Sequence, residues 1–243
     1  MVRKKRKGCD VPEATIHRLP LYLEKLKLLQ AIGVEDVSSR QLAESLDIKA
    51  SQLRHDFHYF GGFSRPGRPY QVEKLVPALE KIIGIADPVP TIIVGAGHLG
   101  QALANYQNLD IQGFPIHGIF DVNPRLIGLE IRGQPIRDMD EMEGIVRREK
   151  VLIGILTVPG SHAQAVADQM VKAGIVGIFN FAPTDLKVPR GVVVRNERLA
   201  VGIMSLSFKV KCILETQMQV SPADEVGAPG ETTAEGHGDD QVS

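Results

Sequence analysis

The stretch that decides the fold runs from Thr91 to Gly100 and has the sequence TIIVGAGHLG. Its first four residues are apolar or β-branched and predict a buried strand, and Gly95, Gly97 and Gly100 follow at the spacing G-x-G-x-x-G. The first glycine permits a tight turn, the second lets a pyrophosphate approach the backbone, and the third lets a helix pack on the strand. The next residues, QALANY, predict a helix whose first amides would face that phosphate. The stretch therefore predicts a dinucleotide-binding βαβ unit.

The second predicted strand of that unit, IHGIFD, ends in an acidic residue. Asp121 comes 21 residues after Gly100, the distance at which an acid holds the adenosine ribose hydroxyls of NAD. Arg125 is close enough to leave a preference for NADP open, since an arginine there accommodates the 2′-phosphate. The alternative is that the glycines form an ordinary turn, but such a turn would not require the flanking strand and helix or the acid. The context favours a dinucleotide site.

Strands and helices continue to alternate after Asp121. VLIGILTVP (151–159), a helix over 161–173, VGIFNFAP (176–183) and VVVRN (192–196) predict a doubly wound parallel sheet of the Rossmann type. Ligands of such sheets bind at the carboxyl ends of the strands. The predicted cofactor-binding residues are the glycine loop, the acid and these strand ends, although an ordinary strand-to-helix turn would explain each strand end equally well: Gly95, Ala96, Gly97, His98, Leu99, Gly100, Asp121, Thr157, Val158, Pro159, Asn180, Ala182 and Pro183.

The chain before residue 84 has a different, helical pattern. Pro20 is predicted to break or kink the first helix, which Gly33 closes, and SSRQLAESLDI predicts a short second helix capped by Ser38 or Ser39. A third helix is predicted over 51–60, with an apolar stripe on one face and polar side chains on the other. A short helix, a tight turn and a helix with outward polar donors form a helix-turn-helix.

The segment GGFSRPGRPY, 61–70, then predicts a basic wing with a turn at Pro66-Gly67. A helical bundle with a charged face is the alternative to this winged helix-turn-helix, but the basic wing favours DNA. The predicted DNA-binding residues carry the donors of the second and third helices and of the wing: Arg40, Ser51, Gln52, Arg54, His55, His58, Tyr59, Arg65 and Arg68.

Charge is segregated along the 243 residues, although the net charge is only −1. Residues 1–84 carry 15 Lys/Arg and 10 Asp/Glu, residues 85–220 carry 13 of each, and residues 221–243 carry 6 acids and no Lys or Arg. We predict a DNA-binding domain over 1–84, a linker over 85–90, a Rossmann domain with a terminal helix over 91–220, and a disordered acidic tail over 221–243. The basic run at 3–7 fits either phosphate contacts or a frayed terminus.

Several classes of protein are disfavoured by composition. The sequence has no apolar run long enough for a membrane span and no apolar stretch behind its basic start, so we expect a soluble cytoplasmic protein. Cys9 and Cys212 are too far apart to form a disulfide framework or a spaced metal site, and we expect no metal. The apolar helix from Leu199 to Leu214 must be buried, against its own sheet or a partner subunit.

Three histidines of the second domain are the candidates for acid–base catalysis: His98, His117 and His162. None has a carboxylate partner nearby in sequence, and no second large domain remains to bind a substrate. We therefore expect a sensor rather than an enzyme, in which a DNA-binding head responds to a cofactor. An NAD-dependent oxidoreductase and a CoA-binding Rossmann module stay as alternatives.

Eight motifs between about residues 12 and 216 resemble the Rex family of redox-sensing transcriptional repressors. They are HRLPLYL, SSRQLAESL, LRHDFHYFG, VGAGHLGQALANY, FDVNP, ILTVP, GIFNFAP and LSF. The resemblance implies a homodimer with winged-helix heads, Rossmann bodies and a C-terminal helix exchanged between subunits. It also implies palindromic operator DNA as partner, released by NADH, with NAD⁺ competing for the site without releasing it.

The resemblance further implies roles for single residues. Arg18 matches an arginine that helps couple the two domains, and Tyr106 matches a tyrosine near the nicotinamide. Arg198 and Leu199 stand where the family pattern has an aspartate followed by an apolar or aromatic residue. Arg198 departs from that pattern, so the ion pair of the aspartate with Arg18 cannot form here. His55 and Pro69 are smaller departures in the third helix and the wing.

Overall fold

A computed structural model of the chain describes residues 11–61, 63 and 68–219. The described chain divides into two units, one ending at Glu197 and one beginning at Arg198. The predicted basic arm, the acidic tail, the wing turn and Arg65 lie outside the described residues. No helix within the described ranges is long and apolar enough to cross a membrane.

The N-terminal part, here called the head (residues 11–83), is built from four helices and a short ribbon. The helices are α1 (Glu13–Ala31), α2 (Ser39–Glu44), α3 (Ala50–His58) and α4 (Val72–Ile83). The ribbon pairs β1 (Asp36–Val37) antiparallel with β2 (Tyr70–Gln71). One apolar core joins the four helices, centred on fully buried leucines at 26, 42, 53 and 79. This is the winged helix-turn-helix arrangement that the sequence predicts.

Local signals fix most of these boundaries. Ser38 caps α2 in a capping box: its hydroxyl accepts from the Gln41 amide, and the Gln41 side chain accepts from the Ser38 amide. Gly33 and Gly61 adopt positive φ after α1 and α3, as glycines at helix ends do. The prediction that Pro20 breaks the helix is wrong, because α1 continues as one helix through it. A kink at Pro20 stays a prediction. Leu19, Tyr22 and Leu23 are buried around the exposed proline, and this packing offsets the lost backbone bond.

The body (residues 91–197) is a seven-stranded, mostly parallel sheet. Its strands are β3 (Thr91–Val94), β4 (Ile116–Asp121), β5 (Glu130–Ile131), β6 (Gln134–Asp138), β7 (Ile153–Leu156), β8 (Gly177–Asn180) and β9 (Val193–Asn196). Their order is β5-β6-β4-β3-β7-β8-β9, with only β5 antiparallel to its neighbour. The doubly wound parallel sheet is confirmed. The short β5–β6 hairpin was not predicted.

Helices cover the sheet on both faces. They are α5 (His98–Asn105), α6 (Asn108–Ile111), α7 (Met142–Arg148), preceded by a 3₁₀ turn (Met139–Glu141), and α8 (Gly160–Ala173). An apolar core that includes Phe120, Leu156 and Met170 lies on the α7 and α8 side, and a second core around Ile93 and Ile119 lies on the α5 side. An apolar groove of about 480 Å³ remains on the sheet, lined by Ile155, Phe179 and Val193 among others.

The second unit contains the helix α9 (Leu199–Gln219). Each of its side chains for which exposure is described lies open to solvent, including those of Ile203, Met204 and Phe208, each about 70% exposed. The predicted helix is therefore present. An apolar helix with this much exposed hydrophobic surface needs a cover, because patches of that kind mark interaction sites.

A buried carboxylate on α3 sets the position of that helix against α1. Asp56 is 0% exposed and accepts five hydrogen bonds from four side chains. Its oxygens receive the Thr15 hydroxyl at 3.0 Å and the Tyr22 hydroxyl at 2.6 Å. Arg18 binds in a fork, with Nε 2.6 Å from one oxygen and Nη2 2.8 Å from the other, and the Gln52 amide donates at 3.0 Å.

This cluster, which we call the Asp56 clamp, shifts the pKa of its members. Burial alone would raise the pKa of Asp56, but the hydrogen bonds from Arg18, Tyr22, Gln52 and Thr15 outweigh it and lower the pKa from 3.8 to about 2. The hydrogen bond to Asp56 raises the pKa of Arg18, and burial followed by the bond to Asp56 raises the pKa of Tyr22. Asp56 therefore stays ionised in the folded head at neutral pH.

We expect the Asp56 clamp to contribute acid-sensitive stability. Because its folded pKa lies below its unfolded value, the contribution is complete above about pH 4 and is lost as the pH falls toward 2, amounting to about 2 kcal/mol. Asp56→Asn should cost about 3 kcal/mol at pH 7, since it leaves Arg18 without its carboxylate. The free-energy difference between wild type and variant, from urea unfolding, should then shrink below pH 4.

The matched control is Asp47→Asn, at an exposed position with positive φ that asparagine tolerates. Its difference from wild type should stay small at every pH. If the Asp56→Asn difference did not change between pH 5 and pH 2.5, the lowered pKa of Asp56 would be wrong.

Candidate dinucleotide site and DNA-binding face

The candidate ligand site lies where the strand order of the sheet reverses. After β3 the chain adds β4 and β6 on one side and then β7 on the other side of β3. Connections leaving β3 and β7 therefore diverge, and a crevice opens at their carboxyl ends. A cleft of about 350 Å³ lies there, between the glycine loop after β3 and the turn after β7. This is where a doubly wound sheet binds a nucleotide.

The three glycines of the loop differ in what a Cβ atom would contact at each position. A Cβ on Gly100 would lie 1.9 Å from the Gly95 carbonyl oxygen, so helix α5 can approach the strand only without a side chain there. Gly95 has φ +101°, and its Cβ would meet Thr157 and Val158 at 2.9 Å. A Cβ on Gly97 would meet nothing within 4 Å, and its φ of −67° suits any residue. The protein itself therefore does not require glycine at 97.

That vacant space at Gly97 fits the predicted pyrophosphate. Gly97 caps the N-terminus of α5 and borders the cleft, where backbone amides and the helix dipole favour an anion. His98 and Leu99 open the helix and are exposed at the same end, whereas Ala96 is buried. The residues present thus fit a dinucleotide phosphate bound against the first turn of α5.

Asp121 ends β4 with its carboxylate at the cleft. Its Oδ2 accepts from the Ala96 amide at 2.6 Å, and its Oδ1 accepts from the Asn123 amide at 2.7 Å. The acid therefore ties the glycine loop to the turn that follows β4. Each carboxylate oxygen can accept more than one hydrogen bond, so the ribose hydroxyls of a nucleotide can still be bound. Arg125 is exposed one turn further on.

Thr157 connects the two strand ends that form the cleft. Its hydroxyl lies 2.7 Å from the Gly95 carbonyl oxygen and 3.1 Å from that of Val94, and its amide donates to Val94. Val158 and Pro159 follow it along the cleft wall. Sequence reasoning missed further lining residues, whose signal was the FDVNP motif and the start of α8: Val122, Asn123, Leu126 and His162.

The predicted cofactor-binding residues at the end of β8 and after it are not among the residues that line the cleft. Asn180 is 0% exposed, and its amide is used within the fold: it donates to the Thr184 carbonyl and the Asn196 side chain and accepts from the Ala182 amide. Ala182 is also buried, and Pro183 lies against Gly160 at the start of α8. Both Asn180 and Ala182 hold the end of β8 in place and neither is among the residues that line the cleft, and their role as cofactor contacts stays a prediction.

Tyr106 and the three histidines complete the body. Tyr106 ends α5, is 53% exposed, and its hydroxyl accepts from the Asn108 side chain at 3.2 Å. His98 and His162 are exposed near the cleft. His117 lies 3.5 Å from the Glu149 carboxylate, a partner that is distant in sequence. No cluster of three or more metal-ligating side chains occurs among the residues that the structure describes.

The candidate DNA-binding face lies on α3, opposite its buried stripe. Leu53 and Phe57 are buried, whereas most of the predicted contacts are exposed on α2, α3 and the residues before β2: Arg40, Ser51, Arg54, His55, His58 and Arg68. The Arg54 guanidinium donates to the Ser39 hydroxyl at 3.1 Å and so joins α3 to the first turn of α2. Tyr59 is half-buried and packs edge-on against His55.

Two predicted residues of the head prove to have other contacts. The Gln52 side chain donates to the buried Asp56, and its role as a DNA contact stays a prediction. Arg18, predicted to couple head and body, is held by Asp56 on the recognition helix. Asp56 itself was missed, although its place beside Phe57 on the inner face of an amphipathic helix was the available signal.

Comparisons with known proteins agree with both sites. Residues 10–57 match a family described as "Putative DNA-binding protein N-terminus", and residues 87–184 match one described as "CoA binding domain". The "Redox-sensing transcriptional repressor Rex" of Thermoanaerobacter pseudethanolicus is 45% identical over 204 residues, covering 84% of this chain and 91% of that protein. Its namesake in Clostridioides difficile is 42% identical over 202 residues, covering 83% and 96%.

Solved structures are similar over the same range. RSP in complex with β-NAD⁺ and operator DNA matches at 42% identity and a TM-score of 0.78, over 87% of this chain and 99% of that one. RSP in complex with β-NADH matches at 41% identity and a TM-score of 0.77, over 86% and 98%. Fold and site together define a DNA-binding regulator with a nucleotide-binding body. The chain belongs to the Rex family of redox-sensing transcriptional repressors.

We expect the two loop glycines to differ in their effect on stability. Gly100→Ala should lower the melting temperature by about 10 °C or more, since overpacking of 2–3 kcal/mol cannot be relieved against backbone. Gly97→Ala should cost less than about 1 kcal/mol, the usual difference at a helix N-cap. Calorimetry of the full chain measures both, with Gly144→Ala on α7 as control because its Cβ also meets open space. Equal losses at 97 and 100 would contradict the packing described for the loop.

Proposed function

We propose that this chain is a homodimeric repressor that binds palindromic operator DNA and is released from it by NADH. The observation that supports the proposal is the presence of two features in one chain. The glycine loop leaves an open space at Gly97, beside the cleft where the strand order of the sheet reverses. The helix-turn-helix presents an exposed polar face. Relatives named as redox-sensing repressors support it, and their names describe regulators rather than enzymes. Its place of action would be the cytoplasm.

The head binds DNA through the exposed side of α3. Two copies of that helix enter successive major grooves about one helical turn apart, or a small multiple of that distance. Arg54, His55 and His58 face base edges and adjacent phosphates, and Arg40, Arg68 and Arg65 hold the backbone, the last outside the described residues. The head is suited to this since residues 1–84 carry 15 Lys/Arg against 10 Asp/Glu.

The body binds NADH and NAD⁺ in the cleft between β3 and β7. The pyrophosphate lies on Gly95–Gly100, and the adenosine ribose binds Asp121. Thr157, Val158 and Pro159 line the route toward the nicotinamide, where Tyr106 and Pro183 would also contribute. The uncharged ring of NADH enters an apolar pocket at lower desolvation cost than the cationic ring of NAD⁺, so the reduced form seats deeper.

Dimerisation would cover two apolar surfaces among the residues that the structure describes. α9 presents hydrophobic side chains along its length, and the sheet carries an apolar groove that includes Phe179 and Val193. If α9 of one copy covers the groove of a second copy, both surfaces are buried and the interface is two-fold. The terminal helix of one copy would then pack on the body of the other copy.

Release follows from the difference between the two ligand states. Deeper seating of NADH draws the two bodies together and turns the heads away from the spacing of the half-sites. To move occupancy from nearly complete to nearly none, NADH must favour the released state by about 5.5 kcal/mol summed over both sites. Arg198 and Leu199, at the start of α9, replace the family's aspartate and its apolar or aromatic neighbour, so this chain must couple ligand to DNA without that carboxylate.

A CoA-binding module is the second candidate, because the family match over 87–184 carries that description. Asp121 argues against it: a carboxylate positioned for free ribose hydroxyls repels the 3′-phosphate of CoA. Melting temperatures with NADH, NAD⁺ and CoA separate the two, since only a ligand that binds the folded body raises them. Stabilisation by CoA alone would replace the dinucleotide in this proposal.

The direct test is binding to a labelled palindromic operator while NADH is titrated, with NAD⁺ and NADPH in parallel. Release by NADH alone, at concentrations where NAD⁺ leaves the complex intact, is the expected result. Operator binding that is indifferent to all three nucleotides would retain the DNA-binding protein and remove the redox response.

Asp121→Ala should separate ligand binding from DNA binding. Loss of two hydrogen bonds that the ribose hydroxyls donate to the charged carboxylate should weaken NADH binding by roughly 100-fold or more. Operator affinity without nucleotide should change less than about three-fold, because the head is untouched. Fluorescence titration measures the first quantity and electrophoretic mobility the second. Equal losses in both would indicate a misfolded body, which the melting temperature of the variant would reveal.

A further inference from the structure

A side-chain contact joins the head to the body in the first unit. The Arg195 guanidinium of β9 lies 2.7 Å from Nε2 of His17 on α1. A guanidinium can only donate, so Nε2 accepts from it in the tautomer whose proton is on Nδ1. The Glu13 carboxylate lies 3.2 Å from the same nitrogen, on the other side of one helical turn. The His17 ring therefore lies between a residue of its own helix and a residue of the sheet.

Arg195 is connected to the cleft through the ends of the parallel strands. The next residue, Asn196, accepts at 2.8 Å from the buried Asn180 side chain, and the Glu197 amide donates to the Asn180 carbonyl at 2.8 Å. β8 in turn pairs with β7, and the Phe181 amide donates to Leu156, the residue before Thr157. The strand that carries Arg195 is thus tied to the strand that ends at the cleft.

The residue after His17 holds the recognition helix. Arg18 forks onto the buried Asp56 of α3, and Tyr22, one turn later, donates to the same carboxylate. α1 therefore carries side chains at consecutive positions that contact the body and the DNA-reading helix. Because the clamp is buried and its hydrogen bonds are charge-assisted, a displacement of α1 moves α3 with it.

We propose that the Arg195–His17 contact is the coupling contact between body and head in this chain, and that α1 transmits it to the recognition helix through the Asp56 clamp. The inference rests on the proposed function and adds the residues by which the NADH state reaches DNA. A coupling contact at Arg195 also fits the arginine at position 198, where the family pattern has an aspartate. Arg198 cannot accept a hydrogen bond from Arg18, and the Arg18 guanidinium is already bound to Asp56 within the head. His17 and Arg195 are positioning residues, since neither is placed against DNA or nucleotide.

The test is Arg195→Met, which keeps the length of the side chain and removes its donors. The readout is the coupling factor, the ratio of operator dissociation constants with and without saturating NADH. We expect it to fall at least ten-fold, while NADH affinity without DNA and operator affinity without NADH each stay within about three-fold. Arg147→Met is the matched control, because Arg147 is an exposed arginine of the body paired with Glu143 on its own helix. It should leave the coupling factor unchanged.

A second variant tests the same contact from the side of α1. His17→Phe should lower the coupling factor as Arg195→Met does, and the double variant should be no worse than either, since both remove one contact. A coupling factor in Arg195→Met equal to that of wild type would overturn the inference and leave the proposed function standing. A loss confined to NADH affinity would also overturn it. No release of wild type by NADH would instead overturn the proposed function, and the coupling inference with it.

Discussion

The ion pair between Arg18 and Asp56 is the interaction on which the DNA-binding face depends. In the proposed function α3 reads DNA, and for this its exposed side must be held at a fixed angle. Its inner side offers two large apolar anchors, Leu53 and Phe57. The carboxylate beside them takes five hydrogen bonds, four of them from α1. Apolar packing tolerates sliding, whereas a forked ion pair has one geometry. Removing one partner is costly because the other stays buried and unpaired.

The shape of the cleft in the body depends on close packing rather than on an ion pair. Gly100 allows α5 to approach β3 to the point where a methyl group would overlap the Gly95 carbonyl, and Thr157 closes the same turn from β7. These two contacts shape the cleft before any ligand arrives. Gly97 is the exception, since no atom of the described residues, its chain neighbours aside, lies within 4 Å of its Cβ position. A site that is formed in advance and open at one glycine is suited to a ligand phosphate.

Much of the fold and of the candidate site was predictable, because the sequence patterns that indicate it are local. The glycine spacing, the acid at 121, the capped second helix and the strand ends all rest on patterns a few residues long, and the winged helix, the sheet and Thr157 in the cleft wall followed from them. The Asp56 clamp was not predictable, since its partners lie 34 to 41 residues apart along the chain except for Gln52. The contacts of Asn180 were not predictable for the same reason, since its partner Asn196 lies 16 residues further along the chain. The two-residue strands of the head and the β5–β6 hairpin are too short for a period to show.

The central claim is that operator DNA and NADH oppose each other through one protein, and the measurement that tests it most directly is NADH affinity with and without saturating operator. Linkage requires the two ligands to weaken each other by the same factor. The account predicts that operator weakens NADH at least ten-fold, by the factor with which NADH weakens operator, while NAD⁺ affinity changes little. Equal NADH affinity in the presence and absence of operator would contradict it, however tightly each ligand binds alone.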